Sequence, residues 1–181
     1  MIFPRPIRFA PFTALLIETE RFRQAGGLNE ELGTYMEDVE FGLRCSLAGW
    51  TSVYEPTAVA THRGSATDGA WSAEMVRRIS RNQVALVALR WPRPLGPEFV
   101  WNILVGQGLW GLLALRRGRF LAWLRGKREG LALWRGLRSR VRLAAAGEVS
   151  AMLRESEAEL RKISIGSYWR AYKWLTPFRK G

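Results

Sequence analysis

Cysteine, histidine and aspartate are nearly missing from this sequence of 181 residues. The single cysteine, Cys45, excludes an internal disulfide and any cysteine-based zinc cluster, and it fits a reducing compartment. It reads as a small core residue. His62 is the only histidine, one ligand and not by itself a metal site. The only aspartates are Asp38 and Asp68, so the chain holds no Asp-x-Asp pair. The N-terminal stretch is broken by Pro4, Pro6 and Pro11 and has no continuous apolar run, which argues against a secretory signal. Internal repeats and low-complexity tracts are also lacking.

What is present is apolar and basic. Hydrophobic residues make up 48%, which excludes a disordered composition. The net charge of +12 is unevenly placed. Residues 1–90 carry ten basic and ten acidic side chains, whereas residues 91–181 carry eighteen basic and six acidic ones. The whole excess therefore lies in the second half. The two halves meet at Trp91–Pro97, where three prolines and a glycine in seven residues exclude a helix interior. A basic half of this kind suits nucleic acid, an anionic membrane face or a solvated surface.

Along the first half, the apolar run at 12–17 has no helical period and reads as a strand. A short helix at 18–25 stops at Gly26-Gly27, and a longer one at 35–48 stops at Gly49. Residues 50–56 read as a strand and 58–69 as an extended piece entering a loop. Residues 72–89 read as a helix with Trp71, Met75, Ile79, Leu86 and Leu89 near one face.

The informative stretch is residues 26–66. Its parts are Gly26-Gly27, Glu37-Asp38, Arg44, Ala48-Gly49-Trp50, Glu55-Pro56 and the segment from Ala58 to His62. A helix carrying Arg81-Asn82 and ending at Trp91-Pro92 follows. In order and spacing this resembles the downstream catalytic segment of rhamnosyltransferase-like family 2 glycosyltransferases. The resemblance covers roughly residues 10–92 and extends only loosely to 142.

The resemblance implies an α/β fold: a partial GT-A (Rossmann-like) domain over 1–92, followed by a basic helical extension over 93–181 with membrane-surface character. It implies an inverting transferase in which Asp38 is the general base that takes the acceptor hydroxyl proton. Glu37 would orient its neighbour or contact the acceptor, and repulsion between the two carboxylates raises the pKa of one of them. The plain alternative is that Glu37, Asp38 and Glu40 form an acidic first helical turn favoured by the macrodipole.

The same resemblance assigns Gly27, Arg44, Trp50, Arg63 and Ser65 to substrate binding, with Arg63 pairing with a phosphate. His62 would join a metal site holding Mn or Mg. Its alternative is an ordinary packed or solvent-facing histidine. The family's nucleotide-binding half and Asp-x-Asp do not occur in this sequence. The expectation is therefore that a longer parent or a second polypeptide carrying the N-terminal half supplies the donor pocket and the cation.

In the second half, residues 99–115 are at the lower length limit of a spanning helix and are followed by Arg116, Arg117 and Arg119. A span, an in-plane helix and a protein-packed helix all fit, the last two better. Residues 120–142 place Phe120, Trp123, Leu124, Leu131, Trp134, Leu137 and Val141 near one face, as an interfacial or packed helix would. Gly118, Gly126, Gly130 and Gly136 weaken that helix. A charged helix is expected at 150–162. The tail interleaves aromatic and basic residues, which suits a membrane-interface belt better than base stacking.

The expected function is sugar transfer from a nucleotide-sugar donor to a glycan or lipid-linked acceptor, in cell-envelope polysaccharide or glycolipid synthesis. The expected location is cytoplasmic and peripheral, at the inner face of the cell membrane. The alternative is a non-catalytic membrane-surface module derived from such an enzyme. Nucleic acid is the weakest reading, because no reading motif accompanies the charge.

Overall fold

The computed structural model describes residues 3–7, 10–62, 64, 68–92, 96–141, 144–163 and 165–176. These residues form a mostly helical chain with one small sheet, so it is mixed α/β only in that sense. Strands β1 (Arg5–Ile7) and β2 (Ser52–Tyr54) pair antiparallel, with Arg5 opposite Tyr54 and Ile7 opposite Ser52. The parallel sheet expected of a GT-A domain is not formed by the described residues. Residues 12–17 form no strand either. Leu16 is 98% exposed, and the Phe12 amide is turned toward a side chain instead of a ladder. An apolar run needs a neighbouring strand to become one, and none lies beside it.

Helix α1 (Thr19–Gln24) and helix α2 (Glu37–Leu47) end in the same way. Gly27 donates to the Phe22 carbonyl and Trp50 to the Cys45 carbonyl, each closing a Schellman turn over a left-handed Gly26 or Gly49. Helix α3 (Ala73–Arg90) starts where the Ser72 hydroxyl accepts from the Met75 amide at 3.0 Å. The second half is four helices: α4 (Pro97–Arg116), α5 (Phe120–Ser139), α6 (Ala146–Ile163) and α7 (Ser167–Leu175).

The centre of the molecule is the contact of α3 with α5. Gly126 and Gly130, one turn apart, let the two backbones touch. A Cβ at Gly130 would sit 2.7 Å from the Arg81 carbonyl oxygen, and one at Gly126 would overlap that of Arg77. The glycines that weaken α5 as an isolated helix thus make its packing possible. Leu32, Ala85, Ala88, Leu89 and Leu137 form the buried apolar cluster, with Leu133, Trp134 and Val141 against it. This cluster draws on both sides of the proline-rich joint.

Helix α4 lies across this pair. The Trp110 indole N–H donates to the Ser80 hydroxyl at 3.0 Å, and the Trp101 indole to the Leu175 carbonyl at 2.9 Å. Among the described residues, Phe99–Arg116 is the one stretch long and apolar enough to cross a bilayer, and only 22% of it is buried.

Candidate functional site

Helix α2 starts later than the apolar spacing suggests, because Tyr35 and Met36 are both left-handed, with φ of 72° and 69°. Two consecutive non-glycine residues there are strained and must be held by their surroundings. The holding group is Asn82 of α3, which is fully buried. Its amide nitrogen donates to the carbonyls of Leu32 (2.7 Å), Thr34 (3.1 Å) and Tyr35 (2.7 Å). Arg81 supports it, donating to the Glu31 carbonyl at 2.7 Å and to the Asn82 side-chain oxygen at 2.6 Å. The turn so held presents Glu37 and Asp38 in the first turn of α2.

Asp38 is half-buried, and its carboxylate accepts from the Val39 amide at 2.8 Å and the Phe12 amide at 3.4 Å. Glu37 has one carboxylate oxygen, Oε2, buried without a hydrogen-bond partner. Burial raises its pKa above the usual carboxylate range, and repulsion from Asp38 adds to the rise.

Two further groups face this turn. The Tyr35 hydroxyl has its pKa raised by burial and then by the nearby Asp68 carboxylate. The Asp68 Oδ2 atom is itself buried without a partner. Arg78 feels the Asp68 charge and also bonds Glu74 at 2.6 Å. Sequence reasoning passed over Tyr35 and Asp68. Their only signal is the backbone strain before Glu37 and a loop whose path the sequence does not specify.

Glu40 lies one turn further into α2 and is fully buried. Both of its oxygens lie 3.0 Å from Arg44 Nε, and Arg90 Nε is 2.6 Å from Oε1. Arg44 also donates to the carbonyls of Ala25 and Gly27. Its guanidinium therefore ties the end of α1 to α2. Gly27, with φ of 63°, packs its backbone beside the Phe22 ring. Sequence reasoning passed over this pair, although its i, i+4 spacing could have shown it; the third member, Arg90, comes from a distant helix and leaves no local trace.

Trp50 is half-buried, with Arg21 over its ring at 5.8 Å. His62 is exposed on an irregular segment. Among the described residues, no hydrogen bond or ring contact joins Trp50 or His62 to Glu37 and Asp38, and no three His, Cys, Asp or Glu side chains gather as a metal site. Arg63 and Ser65 lie outside the described residues. The structure thus joins Gly27, in the turn after α1, to Arg44 of α2, and sets Glu37 beside Asp38 in the first turn of α2.

Two clefts lined by described residues lie away from the acidic pair. One of about 240 Å³ lies between α4, α6 and α7, beside Phe99, Ile103, Leu153 and Tyr172. The other, about 320 Å³, lies between α3, α4 and α5, beside Val87, Leu104, Trp134 and Arg138.

The chain is similar to two curated proteins, both named N-acetylglucosaminyl-diphospho-decaprenol L-rhamnosyltransferase. They come from Mycobacterium tuberculosis strains CDC 1551 / Oshkosh and ATCC 25618 / H37Rv. Each is 31% identical over 119 residues, covering 64% of this chain and 39% of the relative. This chain therefore spans well under half the length of the curated relatives it matches. The similarity supports a glycosyltransferase relationship. No protein-family profile matches the chain, and no solved structure matches it.

Proposed function

We propose that this chain carries the base-bearing part of an inverting family 2 glycosyltransferase of GT-A type, acting on a lipid-linked or glycan acceptor in cell-envelope synthesis. The observation that supports this best is the strained, Asn82-held turn that sets Glu37 and Asp38 side by side at the start of α2. A fold holds such strain where a side chain must be aimed. The relatives' printed name, with a decaprenol diphosphate sugar as acceptor, gives the acceptor class.

In this mechanism the acceptor hydroxyl oxygen attacks the anomeric carbon of the donor sugar. Its proton passes to the Asp38 carboxylate, the bond from the anomeric carbon to the diphosphate oxygen breaks, and the nucleoside diphosphate leaves. Attack opposite the leaving group inverts the configuration. Glu37 orients its neighbour or contacts the acceptor. Gly27, Arg44 and Trp50 are the residues we assign to substrate contact, with Arg44 tying the end of α1 to α2. The nucleotide pocket comes from a further segment or a second polypeptide. The described residues do not form a cation site, since His62 stands without companion ligands, so no step here runs through manganese or magnesium.

The test is transfer from a panel of nucleotide sugars to a polyprenyl-diphosphate sugar, with the parent-length protein beside its Asp38→Asn variant. Loss of a general base costs about 10²–10⁴-fold in rate. A variant that keeps most of its rate overturns the assignment. A second reading, a non-catalytic module at the membrane surface, is favoured by one observation: α4 leaves an apolar stripe uncovered. It predicts no transfer in either protein.

A further inference from the structure

The outer face of the α4–α5 hairpin is apolar and basic, and none of the described residues covers it. Along α4, Trp101, Leu104, Leu112 and Leu115 recur at helical spacing, and all are exposed, Leu104 at 58%. After the turn at Gly118, α5 continues the surface with Leu121, at 79%, then Leu124 and Leu131. Arg116, Arg128 and Arg135 are exposed on the same two helices. At the far end, Trp174, 82% exposed, sits next to Leu175, whose carbonyl binds the Trp101 indole. A patch of this kind marks an interaction site.

We infer that this face docks in the plane of an anionic lipid bilayer, and that the hairpin lies on the membrane without crossing it. The inference rests on the proposed work at the membrane surface and names the element that performs it. Charge complementarity selects the occupant. The apolar stripe is bordered by arginines, which snorkel toward phosphate headgroups while leucines enter the acyl boundary. A second copy of the same face would bring these arginines against each other. Tryptophans at one end match the depth of an interface, where an apolar ring meets water.

A span is excluded by what the other face of α4 does. Its Gln107 side chain accepts from Lys127 of α5, which also donates to the Ser80 carbonyl and to Gln83 of α3. Inserting α4 would strip it from this polar contact. It would also draw Arg125 and Arg128 of α5 toward hydrocarbon.

Co-sedimentation with phosphatidylcholine vesicles, with and without phosphatidylglycerol, tests this on the whole chain. Binding is expected to the anionic vesicles and to weaken with salt. Each exposed arginine contributes about fivefold at an anionic surface, so Arg116→Gln, Arg128→Gln and Arg135→Gln together weaken binding by about a hundredfold. The variant Leu104→Asp/Leu121→Asp alters exposed positions only, and its helical circular dichroism reports that it is folded. It is expected to lose at least tenfold in binding. The inference falls if the folded wild-type chain shows no preference for anionic vesicles, if the leucine variant binds as well as wild type, or if the stripe instead mediates a lipid-free dimer that the variant dissolves. Transfer to a soluble acceptor separates the two readings. Vesicle binding by this chain, with no transfer by the parent-length protein, leaves the docking face standing and removes the enzyme. A leucine variant that transfers normally but no longer sediments supports docking as a separate property.

Discussion

Asn82 does at the scale of one residue what the acidic pair needs from the fold. Its amide nitrogen serves three backbone carbonyls, and two of them belong to the strand of chain that turns left-handed at Tyr35. Replacing it by alanine leaves those buried acceptors unpaired, at about 1–3 kcal/mol each before relaxation. We expect Asn82→Ala to destabilise the chain by about 3 kcal/mol in urea unfolding. Asn82→Asp would do no better, because a carboxylate cannot donate. Glu40 shows the same dependence on distant partners, since its buried charge is matched by Arg44 from its own helix and Arg90 from another. Neither residue stands out in the sequence. Asn82 was legible only as part of a family-like pair, and Glu40 only as one more acid in a first turn.

Elements were more readable than the contacts between them. Six helices follow from apolar spacing and from glycines that stop α1 and α2, while the tail helix α7 was not anticipated. The strand at 12–17 was misread because an apolar run without period looks the same whether a neighbour strand exists or not. The glycines of α5 carry opposite meanings that only packing distinguishes. Gly126 lies against the Arg77 carbonyl, whereas nothing lies within 4 Å of a Cβ at Gly136. Gly126→Ala is expected to cost about 1–3 kcal/mol through overpacking. Gly136→Ala should instead stabilise the chain by up to about 1 kcal/mol through helix propensity. Thermal unfolding of the two variants, side by side, checks the sign at each position.

For the whole molecule, Lys127 is the titratable group buried where α3, α4 and α5 meet. Burial lowers its pKa from 10.5 to about 8. Between these values the unfolded chain binds a proton that the folded chain has released. Stability from this lysine therefore rises with pH from about 8 to 10.5, and below 8 its cost is constant. The three oxygens it bonds favour the ammonium, so we expect a gain of about 2 kcal/mol or less. Urea unfolding across that range should show the rise in the wild type, and Lys127→Met should flatten it. Glu37 acts in the opposite sense at acid pH: its raised pKa costs stability as pH climbs past the ordinary glutamate value.

Gly130 faces the Arg81 carbonyl, and Arg81 is the chain neighbour of Asn82. A side chain at position 130 would therefore press, from behind, on the residue that aims the acidic turn. In a genetic screen for loss of the proposed sugar transfer, lesions at this glycine would group with those at Asn82 and Asp38, although they map to the helix whose outer surface we propose to meet lipid. Genotype would follow the inner wall of α5, and its outer wall would drift under a different selection.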